Sequence, residues 1–320
     1  MKKFLTLTLA LLTLFSLTAS AQTEALVFTQ EQLDALDVAL SDDNSEIIIG
    51  DEFRVHISDD DDLSVTPDLP SEWVNILLLG TDTGNKTLNY GRTDTMMVFS
   101  VNKSTGQMRL ASLVRDMYVN IPHLNSPNRI NTANVFGGPL YAVKVVNETL
   151  GLNITHYASV NFQGFKDIID YLGGVTLKLG FTEANIVGAQ VTEEPQLLNG
   201  EQALAYARIR QLDSNFGRNT RQRKLLNAML SQLLSGSDIN QIMSAMTEAL
   251  KHLTTNMTIN EVLQLVPAVV KNESGMETAG FPAAGDYRNE MIRGVKSVVI
   301  FDQEETKDKL HRFIYEGIQP

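Results

Sequence analysis

The sequence predicts an α/β fold, a mixed central β-sheet flanked by helices on both faces. Three observations carry this. "WVNILLLG", Trp73 to Gly80, is a continuous apolar run suited to a strand buried on both sides. "TMMVFSVN" and "QMRLASLV" flank Lys103-Ser104-Thr105-Gly106 and read as an antiparallel pair joined by a short turn. Beyond them, helix-like and strand-like segments alternate to the C-terminus, as in a sheet covered on two sides.

The elements follow in order. "PLYAVKVVNETLG" opens with Pro139 and closes with Gly151, a helix with conventional start and stop residues. "THYASVN" reads as a strand, "FQGFKDIIDYLGG" as a helix ending at Gly173-Gly174, and "VTLKL" as a strand. "NGEQALAYARIR" is a helix with Asn199 as its N-cap. Arg208 and Arg210, two apart, cannot share a helix face, so the chain is leaving its helix there. Arg218 to Leu234 forms a helix whose apolar stripe is Leu225, Leu226, Met229, Leu230 and Leu233. Two more helices run from Ser237 to Leu253 and from Thr258 to Lys271, the latter opening on a Thr258–Glu261 capping box. "KSVVIF" is a strand, and an amphipathic helix from Asp302 to Tyr315 finishes the chain. There is no internal repeat and no domain boundary after residue 73.

Upstream of this body the composition changes. Lys2 and Lys3 precede an apolar run from Phe4 to Leu17, and Ala19-Ser20-Ala21 follows, which describes residues 1–21 as an export signal or a retained membrane anchor. Either way the remainder is expected outside the cytoplasm. Residues 22–72 hold fifteen acids against one base, Arg54, and read as an acidic linker. "EIIIGDEFRVHISDDDD" allows a short hairpin, but Asp59 to Asp62 with Pro67 and Pro70 favour a solvated segment over a calcium site. Residues 73–320 are the expected catalytic domain; the chain's net charge of −12 belongs to the leader, since the body is neutral.

Several chemistries are excluded. With no cysteine there is no disulfide, thiolate nucleophile or thiolate metal site. The five histidines, His56, His123, His156, His252 and His311, lack zinc-ligand spacing. No G-x-S-x-G, Walker or Rossmann pattern occurs.

Against this background, "RIRQLDSNFGRNTRQRK" (208–224) is anomalous. Its five arginines and one lysine are opposed only by Asp213. On the 218–234 helix Gln222 falls inside the apolar stripe and Arg218 and Arg223 at its margins, while Lys224 points away. Gln222 and Arg218 thus sit on the core-facing side of a first turn that already favours anions, after a loop containing Gly217. A merely solvated basic helix is the alternative, but burying Gln222 and edging Arg218 inward serves no solvated face.

Carboxylates lie upstream at strand ends. Gly80-Thr81-Asp82 follows the first strand and Gly91-Arg92-Thr93-Asp94 precedes the second. Such loops are where ligands bind in sheets of this kind. Two carboxylates there suit Mg²⁺, or Mn²⁺, that keeps waters and takes other oxygens from phosphate; each alone reads as a turn residue. "SLVRDMYVNI" brings Arg115-Asp116 to the next strand end, where a surface ion pair is the bland reading. Arginines converging with carboxylates make chemical sense around a pyrophosphate. Nucleic acid is a poor ligand: the acidic leader repels it and aromatic residues do not interleave with basic ones.

"NILLLGTD", "GRTDTMMVFSVN", "LASLVRDMYVNIP", "RINTANVFGGP", "NFQGFKDIIDYLGGVTL", "LNGEQALAYARIR" and "FGRNTRQRK" occur in this order. Together they closely resemble the LytR–CpsA–Psr family of cell-envelope phosphotransferases. The likeness is dense from Trp73 to Leu234 and weaker in the C-terminal "FPAAGDY" to "FIYEG". It implies transfer of a glycan phosphate, such as teichoic acid or capsule polymer, from undecaprenyl pyrophosphate to a peptidoglycan hydroxyl at the outer membrane face. It implies Asp82 and Asp94 as magnesium ligands, and Arg92, Arg115, Arg208, Arg210, Arg218 and Gln222 as pyrophosphate ligands. It also implies a long pocket of apolar helices for the lipid. Asp116 is the candidate general base. Asn215 stands where the family usually has Asp, and Arg129 where it commonly has Lys. Hydrolysis of the same lipid pyrophosphate and non-catalytic binding of a lipid-linked glycan are the competing readings.

Overall fold

A computed structural model describes residues 54–58, 61–82, 90–122, 124, 127–210, 212, 215–235, 238–272, 274–292 and 296–320. The signal-like segment 1–21, most of the acidic leader, Asp213 and the side chain of Asn215 lie outside the described residues.

The apolar run forms β1 (Trp73–Thr81), and the predicted pair forms β2 (Thr93–Asn102) and β3 (Met108–Leu113). After a separate two-stranded ribbon of β4 (Tyr118–Val119) with β5 (Asn128–Arg129), the strands β6 (His156–Val160), β9 (Thr254–Thr255) and β10 (Met276–Phe281) join β1, β2 and β3 in a six-stranded sheet of order β10-β3-β2-β1-β6-β9. β1 runs parallel to β6 and β3 parallel to β10, whereas β2 is antiparallel to both of its neighbours. The sheet is therefore mixed, as expected. Its parallel strands deliver the ends of β1, β3, β6 and β10 to one edge, where β2 begins.

Alternation along β1 divides the core. Trp73, Leu77 and Leu79 face one apolar cluster and Ile76 and Leu78 face another. The first cluster is closed by α1 (Ala133–Leu150) and by α8 (Gln303–His311) with the turn after it. Helix α1 starts six residues before Pro139 and is broken at Gly138, whose φ of 71° interrupts the helical path before Pro139 resumes it. A Cβ at Gly138 would lie 3.1 Å from the Tyr90 ring, so glycine answers both the backbone angle and the close approach.

The opposite face is covered by α2 (Phe162–Tyr171), α5 (Asn215–Leu234), α6 (Ile239–Ala249) and α7 (Ile259–Val270). The Thr258–Glu261 capping box on α7 is formed as read from sequence. Around β7 (Val175–Leu177), α3 (Phe181–Val187), β8 (Gln196–Leu198) and α4 (Gly200–Ala207) lies a third apolar cluster. The α5 stripe serves two clusters: Leu225 and Met229 pack with the third, Leu226 and Leu230 with the sheet face.

The linker reading of residues 22–72 needs correction at its C-terminal end. Leu63 is buried in the main core, and Val55 and Ile57 pack against it. The Asn147 amide also donates to the Leu63 carbonyl at 2.9 Å. Acidity had suggested a solvated segment, but three apolar side chains spaced among the acids suffice to dock it.

Candidate phosphate-binding site

Asp82, the first residue after β1, and Asp94, the second of β2, meet at the sheet edge. The pairing register slips between Gly80 and Thr81, from Gly80↔Thr95 to Thr81↔Thr93, leaving Asp94 as the extra residue of a bulge. A bulge re-aims the side chain it carries. Gly80 is required there, because a Cβ would approach Thr95 Cβ to 2.9 Å. The Asp82 amide donates to the Arg92 carbonyl at 3.3 Å, closing the loop between the two strands.

Arginines surround this pair. Arg92, only 2% exposed, brings Nε to 3.6 Å from Asp82 Oδ2. Arg115, just beyond β3, ion-pairs through Nη1 with Asp94 Oδ1, and Arg210 Nη2 lies 2.8 Å from Asp94 Oδ2. Asp116 is buried behind Arg115, with Oδ1 3.4 Å from Arg115 Nε and 3.7 Å from Arg129 Nη1. Arg218 is 2% exposed at the start of α5. None of its three guanidinium nitrogens has a hydrogen-bond partner among the described residues. Burial and the charges of Arg115 and Arg210 push its pKa down to about 10, against the opposing pull of Asp94 and Asp116.

The carboxylates are held in different states. Burial, helped by the charge of Asp94, raises Asp82 from 3.8 to about 6, with Arg92 resisting. Burial acts on Asp94 too, but Arg115, Arg218 and Arg210 outweigh it and lower its pKa. Counted together, Arg92, Arg115, Arg129, Arg210 and Arg218 set five guanidinium groups against the carboxylates of Asp82, Asp94 and Asp116. A largely buried surplus of positive charge, with one guanidinium lacking an acceptor among the described residues, has the chemistry to receive a multiply charged anion.

The sequence-derived residues are not all gathered equally. Arg92, Arg115, Arg210 and Arg218 converge with Asp82 and Asp94. Gln222 is buried one turn further along α5, its Nε2 donating to the Ala207 carbonyl at 3.3 Å. Arg208 is exposed and lays its guanidinium over the Phe162 ring at 4.4 Å, outside the described ion-pair network. Asp116, read as a candidate base, has its carboxylate on two arginines, an arrangement that orients Arg115. Two participants were missed. The sequence marks Arg129, 5% exposed, only by its difference from the family's usual residue, and it does not distinguish Arg221, 4% exposed, from its basic neighbours. Only its position in the helical wheel beside Arg218 offered a signal.

Helix α5 runs from this charged end over an apolar cavity of about 220 Å³. Leu226, Met229, Leu230 and Leu233 line one side, with Leu78 and Phe99 of the sheet opposite. At 1.5 Å per residue the cavity wall begins about 12 Å along the helix axis from Arg218. Among the described residues no helix is long and apolar enough to cross a membrane.

The profile of the LytR_cpsA_psr family matches residues 41–312. The chain belongs to the LytR_cpsA_psr family. It is 34% identical over 194 residues to the polyisoprenyl-teichoic acid–peptidoglycan teichoic acid transferase TagU of Enterococcus faecalis, covering 60% of this chain and 64% of that protein. To the enzyme of the same name from Oceanobacillus iheyensis it is 35% identical over 240 residues, 72% of each chain. The match thus spans just under two thirds of the Enterococcus relative's length. Among solved structures, Bacillus subtilis TagV superposes with a TM-score of 0.63 at 27% identity, over 78% of this chain and 98% of that one. TagT bound to LI-WTA gives a TM-score of 0.63 at 22% identity, over 78% and 92%, a likeness of fold. This family has the mixed sheet between helix layers that the sequence predicts.

Proposed function

We propose that this protein transfers a glycan phosphate, of the teichoic acid or capsule type, from undecaprenyl pyrophosphate to a peptidoglycan hydroxyl at the outer face of the cytoplasmic membrane. The observation that carries this is Arg218: a buried cation without an acceptor among the described residues, beside Arg115 and Asp94, at the head of a helix whose other end lines an apolar cavity. A polyprenyl pyrophosphate has both matching parts, an anionic head and an apolar tail. The curated relatives are named as transferases with this type of donor and acceptor.

Asp82 and Asp94 fit a divalent ion of the hard-cation class. Their oxygens are the right donors, and among the described residues no third acidic or histidine ligand joins them into a closed site. Two carboxylates suit Mg²⁺, or Mn²⁺, that completes its shell with water and phosphate oxygens. Bound there, such an ion would neutralise part of the pyrophosphate charge.

Arg92, Arg115, Arg210 and Arg218 grip phosphoryl oxygens and favour the charge that spreads over them as the bond to the leaving phosphate stretches. Arg210 stands at the rim of the site, its side chain 42% exposed and ion-paired with Asp94. Asp116 holds Arg115 in orientation through its ion pair. The acceptor oxygen bonds to the glycan-side phosphorus as the bond from that phosphorus to the bridging oxygen breaks; the hydroxyl proton passes to water, and undecaprenyl phosphate departs with the bridging oxygen.

The test is incubation with a synthetic lipid-pyrophosphate glycan, peptidoglycan fragments and Mg²⁺, followed by mass spectrometry. A phosphodiester-linked conjugate is expected. Release of free glycan phosphate without acceptor points instead to hydrolysis, and binding without turnover to a carrier role.

A further inference from the structure

Residues 208–210 leave α4 through a turn at Arg208 (φ −101°, ψ 2°), and along them exposure alternates: Arg208 and Arg210 are exposed while Ile209 is buried at 3%. That alternation lets Arg210 reach Asp94. The amides of Arg208 and Ile209 still bond back to α4, the latter to the Tyr206 carbonyl at 3.3 Å, but these bonds leave the Ile209 carbonyl facing away from the helix ladder. Here the Ile209 carbonyl accepts a hydrogen bond from Arg221 Nη2 at 2.9 Å. The other arm of the same guanidinium, Nη1, lies 3.6 Å from Glu183 Oε1 in α3. Arg221 therefore ties three elements together: α3, the 208–210 segment and α5, on which Arg218 stands three residues before it.

We propose that Arg221 is a positioning residue for the anion site, fastening the Ile209 carbonyl to the helix that carries Arg218 so that Arg210 and Arg218 converge on one ligand. This rests on the pyrophosphate reading of the site. Arg221 and Arg218 are almost equally buried, but their surroundings differ. Arg218 lacks an acceptor among the described residues, whereas Arg221 has a carbonyl and a carboxylate. The residue type follows from the task. A planar fork with five donors serves a carbonyl and a carboxylate at once, while a lysine ammonium is a single point on a flexible stem.

The test is a double-mutant cycle read by calorimetric titration with inorganic pyrophosphate and Mg²⁺, each variant checked by its thermal melt. Arg210→Ala is expected to weaken binding about tenfold in the wild-type background, the loss of one charge-assisted contact. In an Arg221→Ala background the same change is expected to cost less than about twofold, because a misplaced Arg210 has little contact left to lose. Arg221→Lys preserves charge and most packing, so it keeps the test available should the alanine variant not fold. It is expected to show the same loss of coupling. If Arg210→Ala weakens binding by the same factor in every background, Arg221 is structural filling and the role is overturned. A folded wild type that binds no pyrophosphate overturns the site reading, and this role with it.

Discussion

Asp94 Oδ2 and Arg210 Nη2 lie 2.8 Å apart although 116 residues separate them in the chain, and Arg115 takes the other oxygen of the same carboxylate. The two arginines differ in surroundings: the Arg115 side chain is 5% exposed and that of Arg210 is 42% exposed. Arg115→Ala leaves Asp94 and Asp116 buried without their shared partner, so both folding and turnover are expected to suffer. Arg210→Ala removes a rim contact. Its melt is expected within about 0.5 kcal/mol of wild type, with turnover reduced about 10- to 100-fold in the conjugate assay. Wild-type turnover in Arg210→Ala removes that residue from the clamp.

Arg218 gives a prediction of opposite sign for stability and activity. A buried guanidinium without an acceptor opposes folding, and methionine fills similar space without the charge. Arg218→Met is expected to raise the thermal midpoint while lowering turnover by about 10²- to 10³-fold. A variant that is both less stable and fully active removes Arg218 from the anion site.

Asp82 supplies a pH dependence. Its folded pKa of about 6 stands above the usual 3.8, so the folded state binds the proton more tightly. The stability this group contributes is complete below about pH 4 and is lost as pH rises through about 6. In chelator, Asp82→Asn is expected to match wild type at pH 4 and to exceed it at pH 7 by on the order of 2 kcal/mol. Denaturant titrations at the two pH values measure this. A constant difference across that range would show that Asp82 is not perturbed.

Metal dependence follows from the same carboxylate. Chelation by EDTA is expected to abolish conjugate formation, with recovery on adding Mg²⁺. Apparent Mg²⁺ affinity should fall about tenfold per pH unit below the Asp82 pKa, because the ion competes with one proton. Full activity in EDTA rules out the metal role assigned to Asp82 and Asp94.

The cavity is testable apart from the head-group site. Leu230→Trp places extra volume where Leu230 lines the wall. Turnover of a long-chain lipid donor is expected to fall at least about tenfold, while titration with inorganic pyrophosphate is unchanged. An equal loss with both ligands would mean that the substitution distorts α5 as a whole.

Much of this was legible in the chain. Trp73 to Gly80 reads as a strand covered on both sides and is one, and the Thr258–Glu261 box marked a helix start that is present as read. Gln222 inside an apolar stripe correctly marked the buried side of α5. The extent of the body was harder, because the acids around Leu63 conceal the few apolar contacts that dock residues 54–72. Arg208 and Arg210 looked equivalent, yet one rests on an aromatic ring and the other on a carboxylate.

The sequence by itself determined the order of the main elements, the sheet edge to which Asp82, Asp94 and Arg115 are delivered, and the surplus of arginine available there. These follow from local periodicity, turn chemistry and residue type, which a short window contains. Tertiary structure alone decided which arginines meet Asp94, which one lacks an acceptor among the described residues, and that Arg221 spends its donors on Ile209 and Glu183. Ion pairs and buried hydrogen bonds depend on distances of a few ångströms between groups far apart in sequence, and only the packed chain sets those distances.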